Sequence, residues 1–360
     1  MAVVRPFRAV RYDTEKAGGL ERLVAPPYDV IDDEERAAYR ARSPHNVVHL
    51  TLPDRAEEAA RAWSEWLRQG ILVRDEAESS WVLSQDYVGP DGVARTRRGI
   101  VASLRVEPYE RRVVLPHERT HREPKEDRLR LLRAVGAQLE PILLVYDGPP
   151  PVAQGEGTTP ELELEGARLW RDPAIDVEAH FSDLRLLIAD GHHRYETALA
   201  FHEGEGTAES AWLPVVLVSS TDPGLAVFPT HRVFSRRPAG AWRSGRATTI
   251  DEALEQLHGD GHGVARVVQV TRDSVLLVEA EGVADVELVD RLGHEGISYT
   301  PDRDEAVRRV ESGEAAVAYL LRPTPVEEVI RIAERGGIMP QKSTYFYPKL
   351  LSGLLFQPLD

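Results

Sequence analysis

The sequence predicts an α/β fold of the α+β kind, and three observations support this prediction. Apolar runs of strand length, such as 142–145, alternate along the chain with segments whose apolar residues recur at helical spacing. A Gly-Pro-Asp-Gly turn at 89–92 separates two strand-like segments, which is typical of an antiparallel hairpin. At 184–204 an apolar strand continues directly into a helix. The hairpin and the strand–helix unit together predict a mixed sheet packed against helices.

The predicted elements follow the chain in order. Strands are predicted at 2–11, 47–52, 81–88, 98–104, 141–147, 184–190, 212–220, 264–272, 274–280 and 315–322. Helices are predicted from 32–35 onward and at 55–70, 195–204, 285–292 and 303–311, and residues 116–135 are expected to form a loop leading into another helix. Two prolines impose a rigid, extended path on residues 24–31, whose Tyr28 and Asp29 are expected to line a substrate pocket.

The chain is expected to divide into three parts, because 360 residues exceed the usual size of a single hydrophobic core. Residues 1–236 are predicted to form a catalytic core with an N-terminal extension, and residues 237–337 a second, smaller α/β domain. Residues 338–360 are predicted to form a C-terminal segment that packs back on the site.

The composition excludes several classes of protein. The chain has no cysteine, which rules out disulfides, thiolate metal sites and thiol nucleophiles. Its net charge of −15 disfavours binding to DNA or RNA, since it repels phosphates. No apolar run reaches the roughly 20 residues that a membrane span requires, and the N-terminus lacks the apolar stretch of a secretory signal. We therefore expect a cytoplasmic protein without nucleic-acid or membrane partners, and the sequence is compatible with a homodimer.

The segment ADGHHRYETA at 189–198 is the strongest candidate for a functional site. Gly191 permits a tight turn between strand and helix, and the first N–H groups of the helix form an anion site. Arg194 can bind phosphate through two N–H groups. Asp190, at the end of the strand, can hold Mg²⁺ or accept a proton from a hydroxyl group.

Two histidines, His192 and His193, extend this candidate site. They can donate hydrogen bonds to a phosphate or ligate a metal ion. The alternative is that Asp190 only caps the helix and that the histidines are ordinary surface residues. The crowding of five chemically capable residues into one turn favours the functional interpretation.

The same segment resembles the hallmark of the domain-of-unknown-function-1015 family of bacteria and archaea. Similar segments extend over nearly the whole chain, namely RPFRAVRYD, VAPPYDVI, PHERT, K-x-DRL, PTHRVF and KSTYFYPK. The hallmark also resembles the Gly-x-His-Arg helix start of the ParB/sulfiredoxin superfamily, which binds nucleotide phosphates there and includes kinases of free serine. The resemblance implies a ParB/sulfiredoxin-like nucleotide-binding core. It also implies that Gly191, His193 and Arg194 bind phosphate and that Asp190 is a metal ligand or base.

Residues 117–121, with the sequence His-Glu-Arg-Thr-His, match the H-E-x-x-H pattern of zinc peptidases. Pro124 argues against a peptidase, because a helix interior does not tolerate proline. The better interpretation is a polar loop and helix start beside the site, although a solvated, charged helix start is the simpler alternative. The candidates here are Glu118 as base or metal ligand, and Thr120, Lys125 and Arg128 as phosphate-binding residues.

Two other segments carry candidate nucleotide contacts. Residues 342–349, KSTYFYPK, combine lysines and hydroxyl groups with aromatic rings, and Lys342 is the preferred candidate. Its aromatic residues are as compatible with packing as with stacking on a base. His231 and Arg232 lie at a strand end, where local capping and a surface salt bridge are the alternative.

These residues predict a nucleotide-dependent phosphotransferase. The proposed enzyme is a kinase of a small hydroxylated metabolite, with free L-serine named by the resemblance, that uses Mg²⁺ and ATP or ADP. Asp190 and Glu118 would bind Mg²⁺ or take the hydroxyl proton, while His193 and Arg194 would neutralise the transferred phosphoryl group. The chain has no P-loop, dinucleotide-binding or nucleophile-elbow motif.

Two alternatives from other classes stay open. A metal-dependent hydrolase of phosphoesters, or less favourably of peptides, would use His117, His121, His192 and Asp190. A non-catalytic module would bind a nucleotide and change conformation without turnover. Stoichiometric zinc would favour the hydrolase, and nucleotide binding without turnover would favour the sensing module.

Overall fold

The computed structural model describes residues 1–118, 122–153, 157–242, 245–257 and 264–360, without the side chains of residues 122–124. The helices are α1 (Thr14–Ala17), α2 (Asp33–Arg42), α3 (Val48–Thr51), α4 (Ala56–Gln69), α5 (Arg122–Val135), α6 (Val177–Phe181), α7 (His192–Glu205), α8 (Ile250–Leu257), α9 (Asp285–Asp290), α10 (Arg303–Glu311) and α11 (Val326–Glu334). The strands are β1 (Val4–Arg5), β2 (Val10–Tyr12), β3 (Leu72–Arg74), β4 (Ser80–Val88), β5 (Ala94–Arg105), β6 (Val114–Leu115), β7 (Ala137–Gln138), β8 (Ile142–Tyr146), β9 (Leu162–Leu164), β10 (Ala167–Asp172), β11 (Leu186–Asp190), β12 (Trp212–Ser219), β13 (Ala226–Phe228), β14 (His231–Phe234), β15 (Arg246–Ala247), β16 (Val264–Thr271), β17 (Ser274–Glu281), β18 (Ile297–Thr300), β19 (Val317–Leu320), β20 (Tyr345–Tyr347) and β21 (Gln357–Pro358).

A mixed sheet forms the first part of the molecule. Its strand order is β6-β11-β8-β12-β5-β4-β10-β9, with β1 paired to β5. β8 and β12 run parallel, as do β6 and β11, and the other neighbours are antiparallel. The antiparallel pair β4–β5 confirms the predicted hairpin. The sheet and its helices confirm the predicted mixed α/β fold class.

Apolar side chains cover both faces of this sheet. One face packs against α4, α5, α11 and the C-terminal residues, with Trp63 and Leu354 in the shared core. The other face packs against α6 and α7 through residues such as Phe181 and Tyr195. Burial on both faces explains why β8 and β12 are continuous apolar runs without alternation. Among the described residues, no helix has both the length and the apolar character that crossing a membrane requires.

A second, antiparallel sheet has the strand order β15-β17-β16-β19-β14-β18. Its two faces carry separate apolar cores, one with α8 and α10 and the other with α9. β14 lies before the predicted boundary at residue 236, yet it pairs with β18 and β19. The second sheet therefore includes a strand from the predicted first domain.

The C-terminal residues return to the N-terminal part of the chain. Ser352 pairs with Ala25 and Phe356 pairs with Val10 through backbone hydrogen bonds. β21 then pairs with β7, immediately before β8. These contacts hold the apolar residues of 346–356 on the face of the central sheet that also packs against α4, α5 and α11.

The predicted strand at 47–52 is wrong, because Val48–Thr51 forms the short helix α3. Asn46 supports this helix by accepting a hydrogen bond from Val48 N–H at 3.0 Å. Residues 47, 48, 50 and 51 are all buried, so the apolar pattern has no exposed face to reveal its period. Periodicity alone cannot distinguish a fully buried strand from a fully buried helix.

The predicted strand at 2–11 is divided into β1 and β2. Pro6 lies between them and lacks the N–H group that a continuous ladder requires. β1 joins the central sheet, whereas β2 pairs with β3.

Candidate functional site

The turn between β11 and α7 occupies a single residue. Gly191 is the N-cap of α7 and has a φ of +98°, in the region that favours glycine. A Cβ atom at this position would lie 2.5 Å from Cγ2 of Ile142 in β8, so a larger residue would displace that strand. The glycine therefore allows the helix to begin directly after Asp190.

The N-terminus of α7 has no side-chain cap. The first N–H groups of a helix have no partner within the helix, and Gly191 supplies no side-chain acceptor for them. His192 and His193 lie in this first turn and are half-buried. The helix dipole and the outward direction of the first N–H groups both favour an anion at such a position. The turn thus has the backbone geometry that an anion site requires.

Asp190 lies in a buried ion-pair cluster with Arg194 and Lys349. Arg194 Nη2 donates to Oδ2 of Asp190 at 2.7 Å, and Lys349 Nζ donates to Oδ1. Burial by itself raises the pKa of a carboxyl, but the charges of Lys349 and Arg194 outweigh it and hold the pKa of Asp190 well below its ordinary value. The roles of Asp190 as metal ligand or base stay predictions. The arrangement does not favour them, because both oxygens already bind cations.

Arg194 is also engaged by the backbone. Its Nη1 donates to the carbonyl oxygen of Pro141, so both terminal nitrogens of the guanidinium have partners. Only 8% of its side chain is exposed. The predicted direct contact of Arg194 with phosphate stays a prediction. In this geometry the positive charge of Arg194 acts mainly on the carboxylates of Asp190 and Glu140.

Two histidines pack together next to this cluster. His117 Nδ1 donates to Ile188 O at 2.7 Å, which leaves Nε2 as acceptor for the Thr344 hydroxyl at 2.8 Å. The backbone N–H of His117 donates to His192 Nε2 at 3.3 Å. The two imidazole rings pack edge to face, with their centroids 4.7 Å apart. Burial lowers the pKa of both rings. Both histidines are therefore neutral hydrogen-bonding groups near pH 7.

Glu118 lies at the edge of the same cluster, with 18% of its side chain exposed. Its Oε1 accepts a hydrogen bond from Ser343 N–H at 3.3 Å and lies 3.4 Å from the Thr344 hydroxyl. The backbone of Glu118 forms a bridge with Met339. The predicted base is thus held against the C-terminal residues. Among the described residues, no lysine or arginine nitrogen lies within 4 Å of its carboxylate, and Nε2 of the neutral His117 lies 3.7 Å from Oε1.

The structure excludes the zinc peptidase. Such an enzyme carries both histidines of H-E-x-x-H on one helix, but His117 and Glu118 precede α5, which begins at Arg122. His117 also has both ring nitrogens bonded to other groups. His121 and Thr120 lie outside the described residues, so the prediction for Thr120 is not addressed.

Tyr28, Asp29 and Arg128 are brought together near Arg194. The Tyr28 N–H donates to Glu140 Oε1 at 3.1 Å, and the Arg128 guanidinium lies 4.4 Å from the centre of the Tyr28 ring. Burial and then the charge of Asp29 raise the pKa of Tyr28 to about 12. The predicted pocket residues therefore lie beside one end of the predicted phosphate site.

The other candidates lie at the margins. Lys125 Nζ is 3.6 Å from a carboxylate oxygen of Glu196. Lys342 is exposed and has a φ of +55°. Their predicted contacts with a nucleotide stay predictions.

His231 and Arg232 are buried in strand β14. His231 Nδ1 accepts a hydrogen bond from Leu321 N–H at 3.1 Å. Arg232 Nε lies 3.5 Å from Asp290, and its guanidinium lies over the ring of Tyr299. These contacts hold the second sheet together, and they do not favour the predicted role of the pair in nucleotide binding.

The sequence analysis did not identify two charged residues of this region, Lys349 and Glu140. Lys349 ends the segment 342–349, but Lys342 was preferred, and nothing in the local pattern distinguishes the two lysines. Glu140 is an isolated acidic residue just before the apolar strand β8. Acidic residues are rarely buried without a partner, so this position was a detectable signal.

Similar folds occur among solved structures. A conserved hypothetical protein from Pyrococcus furiosus shares 17% identity, covers 69% of this chain and 92% of its own, and has a TM-score of 0.38. A free serine kinase in complex with AMP shares 16% identity, covers 65% and 83%, and has a TM-score of 0.38. SbnI with C-terminal truncation from Staphylococcus aureus shares 15% identity, covers 71% and 87%, and has a TM-score of 0.40. Similarity at this level carries no argument about function.

Sequence comparison places the chain more firmly. No curated protein matches it. The family described as "Protein of unknown function (DUF1015)" matches residues 4–262, which is more than half of the chain and includes the turn at Gly191. The family predicted from the ADGHHRYETA segment is confirmed, and the protein belongs to the DUF1015 family.

Proposed function

We propose that the protein is a nucleotide-dependent phosphotransferase, a kinase of a small hydroxylated metabolite with free L-serine as the candidate. The observation that carries the proposal is the uncapped N-terminus of α7, which lies beside the ammonium group of Lys349. ATP or ADP is the proposed phosphoryl donor.

The phosphate group binds to three kinds of donor in this proposal. The first N–H groups of α7 point out of the helix, and His193 lies in the same turn. Lys349 has three N–H donors, of which one binds Asp190, so others can reach a phosphate oxygen. Charge-assisted bonds of this kind are the strong ones in phosphate recognition.

Asp190 acts as a positioning residue in this proposal. Its two oxygens bind one cation each, Arg194 of α7 and Lys349 of the C-terminal segment. A magnesium ion on Asp190 does not fit this arrangement, because a third cation would be repelled by the two already bound. Within the described ranges, no group of three or more His, Asp or Glu side chains could hold a metal ion. The predicted Mg²⁺ therefore has no step in the proposed reaction.

Glu118 is the proposed base for the acceptor hydroxyl. It is the partly exposed carboxylate of the cluster, and its second oxygen is not bonded to Ser343 or Thr344. The bonds from His117 to Ile188 and Thr344 hold the neighbouring backbone, so Glu118 is positioned before substrate binds. The hydroxyl proton would pass to Glu118 as the bond from the acceptor oxygen to the terminal phosphorus forms. The bond from that phosphorus to its bridging oxygen breaks, and ADP leaves from ATP or AMP from ADP.

The experiment tests transfer directly. Purified protein is incubated with ATP or ADP and a panel of hydroxylated metabolites that includes L-serine, and phosphorylated products are followed by ³¹P NMR. We expect product with the wild type, and a loss of about 10- to 100-fold in nucleotide affinity for Lys349→Met, since a charged hydrogen bond is removed. Lys16→Met, which removes an exposed lysine on α1, is the matched control.

Two outcomes would redirect the proposal. Saturable nucleotide binding without any product would favour the nucleotide-sensing module. Unchanged nucleotide affinity in Lys349→Met, with normal folding, would remove the observation on which the proposal rests.

A further inference from the structure

A small cavity lies beside Arg194, between α5, α7 and β7, and its lining is more apolar than polar. Its volume is about 50 Å³. Polar side chains that face it are Arg128, Gln138, Glu140, Arg194 and Thr197, and leucines of α5 complete its wall. The cavity shares Arg194 with the ion-pair cluster but does not include Asp190. It is therefore a separate space that meets the proposed phosphate site through one arginine.

Two buried polar groups of residues that line this cavity have no hydrogen-bond partner among the described residues. They are Nε2 of Gln138, a donor, and Oγ1 of Thr197, which can donate or accept. Gln138 is 7% exposed and Thr197 is 4% exposed, so bulk water does not satisfy them. A buried polar group without a partner is costly, so both atoms point to an occupant of the cavity that can accept and donate hydrogen bonds.

Glu140 gives the cavity a negative group without a direct ion pair. Its Oε1 accepts from Tyr28 N–H and from the Ser352 hydroxyl at 2.6 Å. Among the described residues, no lysine or arginine nitrogen lies within the 4 Å of a salt bridge to this carboxylate. Burial raises the pKa of Glu140, whereas the charge of Arg194 lowers it. A cationic group in the cavity would complete the pairing that the protein leaves open.

The arginines give the same cavity a positive side. Arg194 uses both terminal nitrogens for Asp190 and Pro141, and Arg128 packs over Tyr28. Both arginines line the cavity, although Nη2 of Arg128 also pairs with Asp127 at 2.6 Å. The amide donor of Gln138 has no partner among the described residues. A space lined by a carboxylate, two arginines and an amide donor complements a zwitterion.

The volume limits the occupant. One water requires roughly 10–15 Å³ of such space, so the cavity holds about four water-sized groups. That is the size of glycine, alanine or serine, and it is too small for an aromatic amino acid.

We propose that this cavity binds a small α-amino acid as a zwitterion. Its ammonium group pairs with Glu140, and its carboxylate accepts from Gln138 Nε2 in the field of Arg128 and Arg194. Thr197 Oγ1 forms a hydrogen bond with a donor or acceptor of the amino acid that Glu140 and Gln138 leave unbonded. The proposed binding does not depend on the proposed function. The assignment of this amino acid as the phosphoryl acceptor does rest on it.

Calorimetric titration of the full chain tests the proposal, with glycine and L-serine as probes. Ethanolamine lacks the carboxylate, 3-hydroxypropanoate lacks the amine, and L-phenylalanine exceeds the volume. We expect binding of glycine and L-serine, and at least about 10-fold weaker binding of the other three, since each loses a charged pair or does not fit.

Variants of the cavity separate binding from folding. Glu140→Gln keeps the shape and the acceptor for Tyr28 but removes the charge, and we expect it to weaken L-serine binding by about 10- to 100-fold. Thr197→Val is isosteric and keeps the fold testable if Glu140→Gln does not fold, and we expect weakening of about 3- to 10-fold. Glu203→Gln, on the exposed side of the same helix, is the matched control.

The outcomes distinguish this proposal from the proposed function. Absence of binding by glycine and L-serine, together with an unchanged or higher melting temperature of Thr197→Val, would show that the cavity holds water only and would overturn the proposal. Equal binding of L-phenylalanine or ethanolamine would overturn it as well. Amino-acid binding without phosphoryl transfer supports the cavity and removes the kinase, whereas transfer to an acceptor without a carboxylate, with no amino-acid binding, does the reverse.

Discussion

The chain places histidine directly before arginine three times, and the two of these pairs that lie wholly within the described residues, His193–Arg194 and His231–Arg232, have different surroundings. The first pair starts helix α7, whose N-cap Gly191 makes no side-chain capping bond, and Lys349 lies nearby on Asp190. The second pair lies within strand β14, where the ladder uses the backbone groups. The His231 ring accepts from Leu321 N–H, and Arg232 Nε lies 3.5 Å from Asp290. The comparison teaches that backbone context, and not residue type, decides whether such a pair can face a ligand.

Both regions bury an arginine, but they neutralise it differently. Arg194 shares Asp190 with Lys349, so one carboxylate holds two cations. Arg232 lies farther from Asp290, at 3.5 Å, and its Nε has no hydrogen-bond partner. Four sets of variants test this difference between the two regions.

The largest effect is expected from Asp190→Ala. The substitution leaves Arg194 and Lys349 buried without a counter-charge, and breaking a buried pair in this way costs about 3–5 kcal/mol of unfolding free energy. Asp290→Ala should cost less, about 1–2 kcal/mol, because Arg232 keeps the carbonyl of Thr230 and its contact with Tyr299. Urea unfolding of both variants measures the difference, and a larger loss in Asp290→Ala would reverse the comparison.

The helix start can be tested by Gly191→Ala. A side chain here combines an unfavourable positive φ with an overlap on Ile142, and we expect a loss of about 2–4 kcal/mol. Gly206→Ala at the other end of α7 is the matched control, since its φ is +64° and no heavy atom lies within 4 Å of the added Cβ. It should lose only about 1 kcal/mol. Equal losses at the two ends would mean that the turn at Gly191 is not tightly packed.

How far the sequence predicts these regions depends on the range of the contacts. The turn at Gly191, the hairpin β4–β5 and helix α4 were predicted, because each is encoded by residues close together in the chain. Lys349 reaches Asp190 across 159 residues, and no local pattern carries that information. Helix α3 was mistaken for a strand because its residues are buried on all sides.

The candidate site shows the same limit. The first turn of α7 was predicted in its backbone geometry, since glycine followed by good helix formers specifies it. The engagement of both Asp190 oxygens was not predicted, because ion pairing depends on which distant cation the fold delivers. Glu140 and its cavity were also missed, because they arise where α5, α7 and β7 meet.

The surroundings of the His231–Arg232 pair in β14 can be tested through the pH dependence of the unfolding free energy. Burial and then the charge of Arg232 lower the pKa of His231 to about 4, whereas an unfolded histidine titrates near 6.5. The unfolded chain therefore binds the proton first, so this contribution to stability is present above pH 6.5 and is lost as the pH falls towards 4. The maximum loss is about 3 kcal/mol.

His231→Asn isolates this contribution. The asparagine oxygen can still accept from Leu321 N–H but does not titrate, so the unfolding free energy of the variant should fall less between pH 7.5 and 4.5 than that of the wild type. Urea unfolding at the two pH values provides the measurement. The same slope in both proteins would mean that folding does not lower the pKa of His231.

The smallest effect is expected at Lys342, although the sequence favoured this lysine for nucleotide binding. It is exposed, and an exposed charge pair contributes at most ~1 kcal/mol, so Lys342→Ala should weaken ATP or ADP binding by less than about fivefold. Lys349→Met should weaken it more, because Lys349 lies against Asp190 with only 17% of its side chain exposed. Calorimetric titration of the two variants ranks the lysines. If Lys342→Ala has the larger effect, the nucleotide phosphates bind outside the α7 cluster, and the contrast between the two histidine–arginine pairs no longer identifies the site.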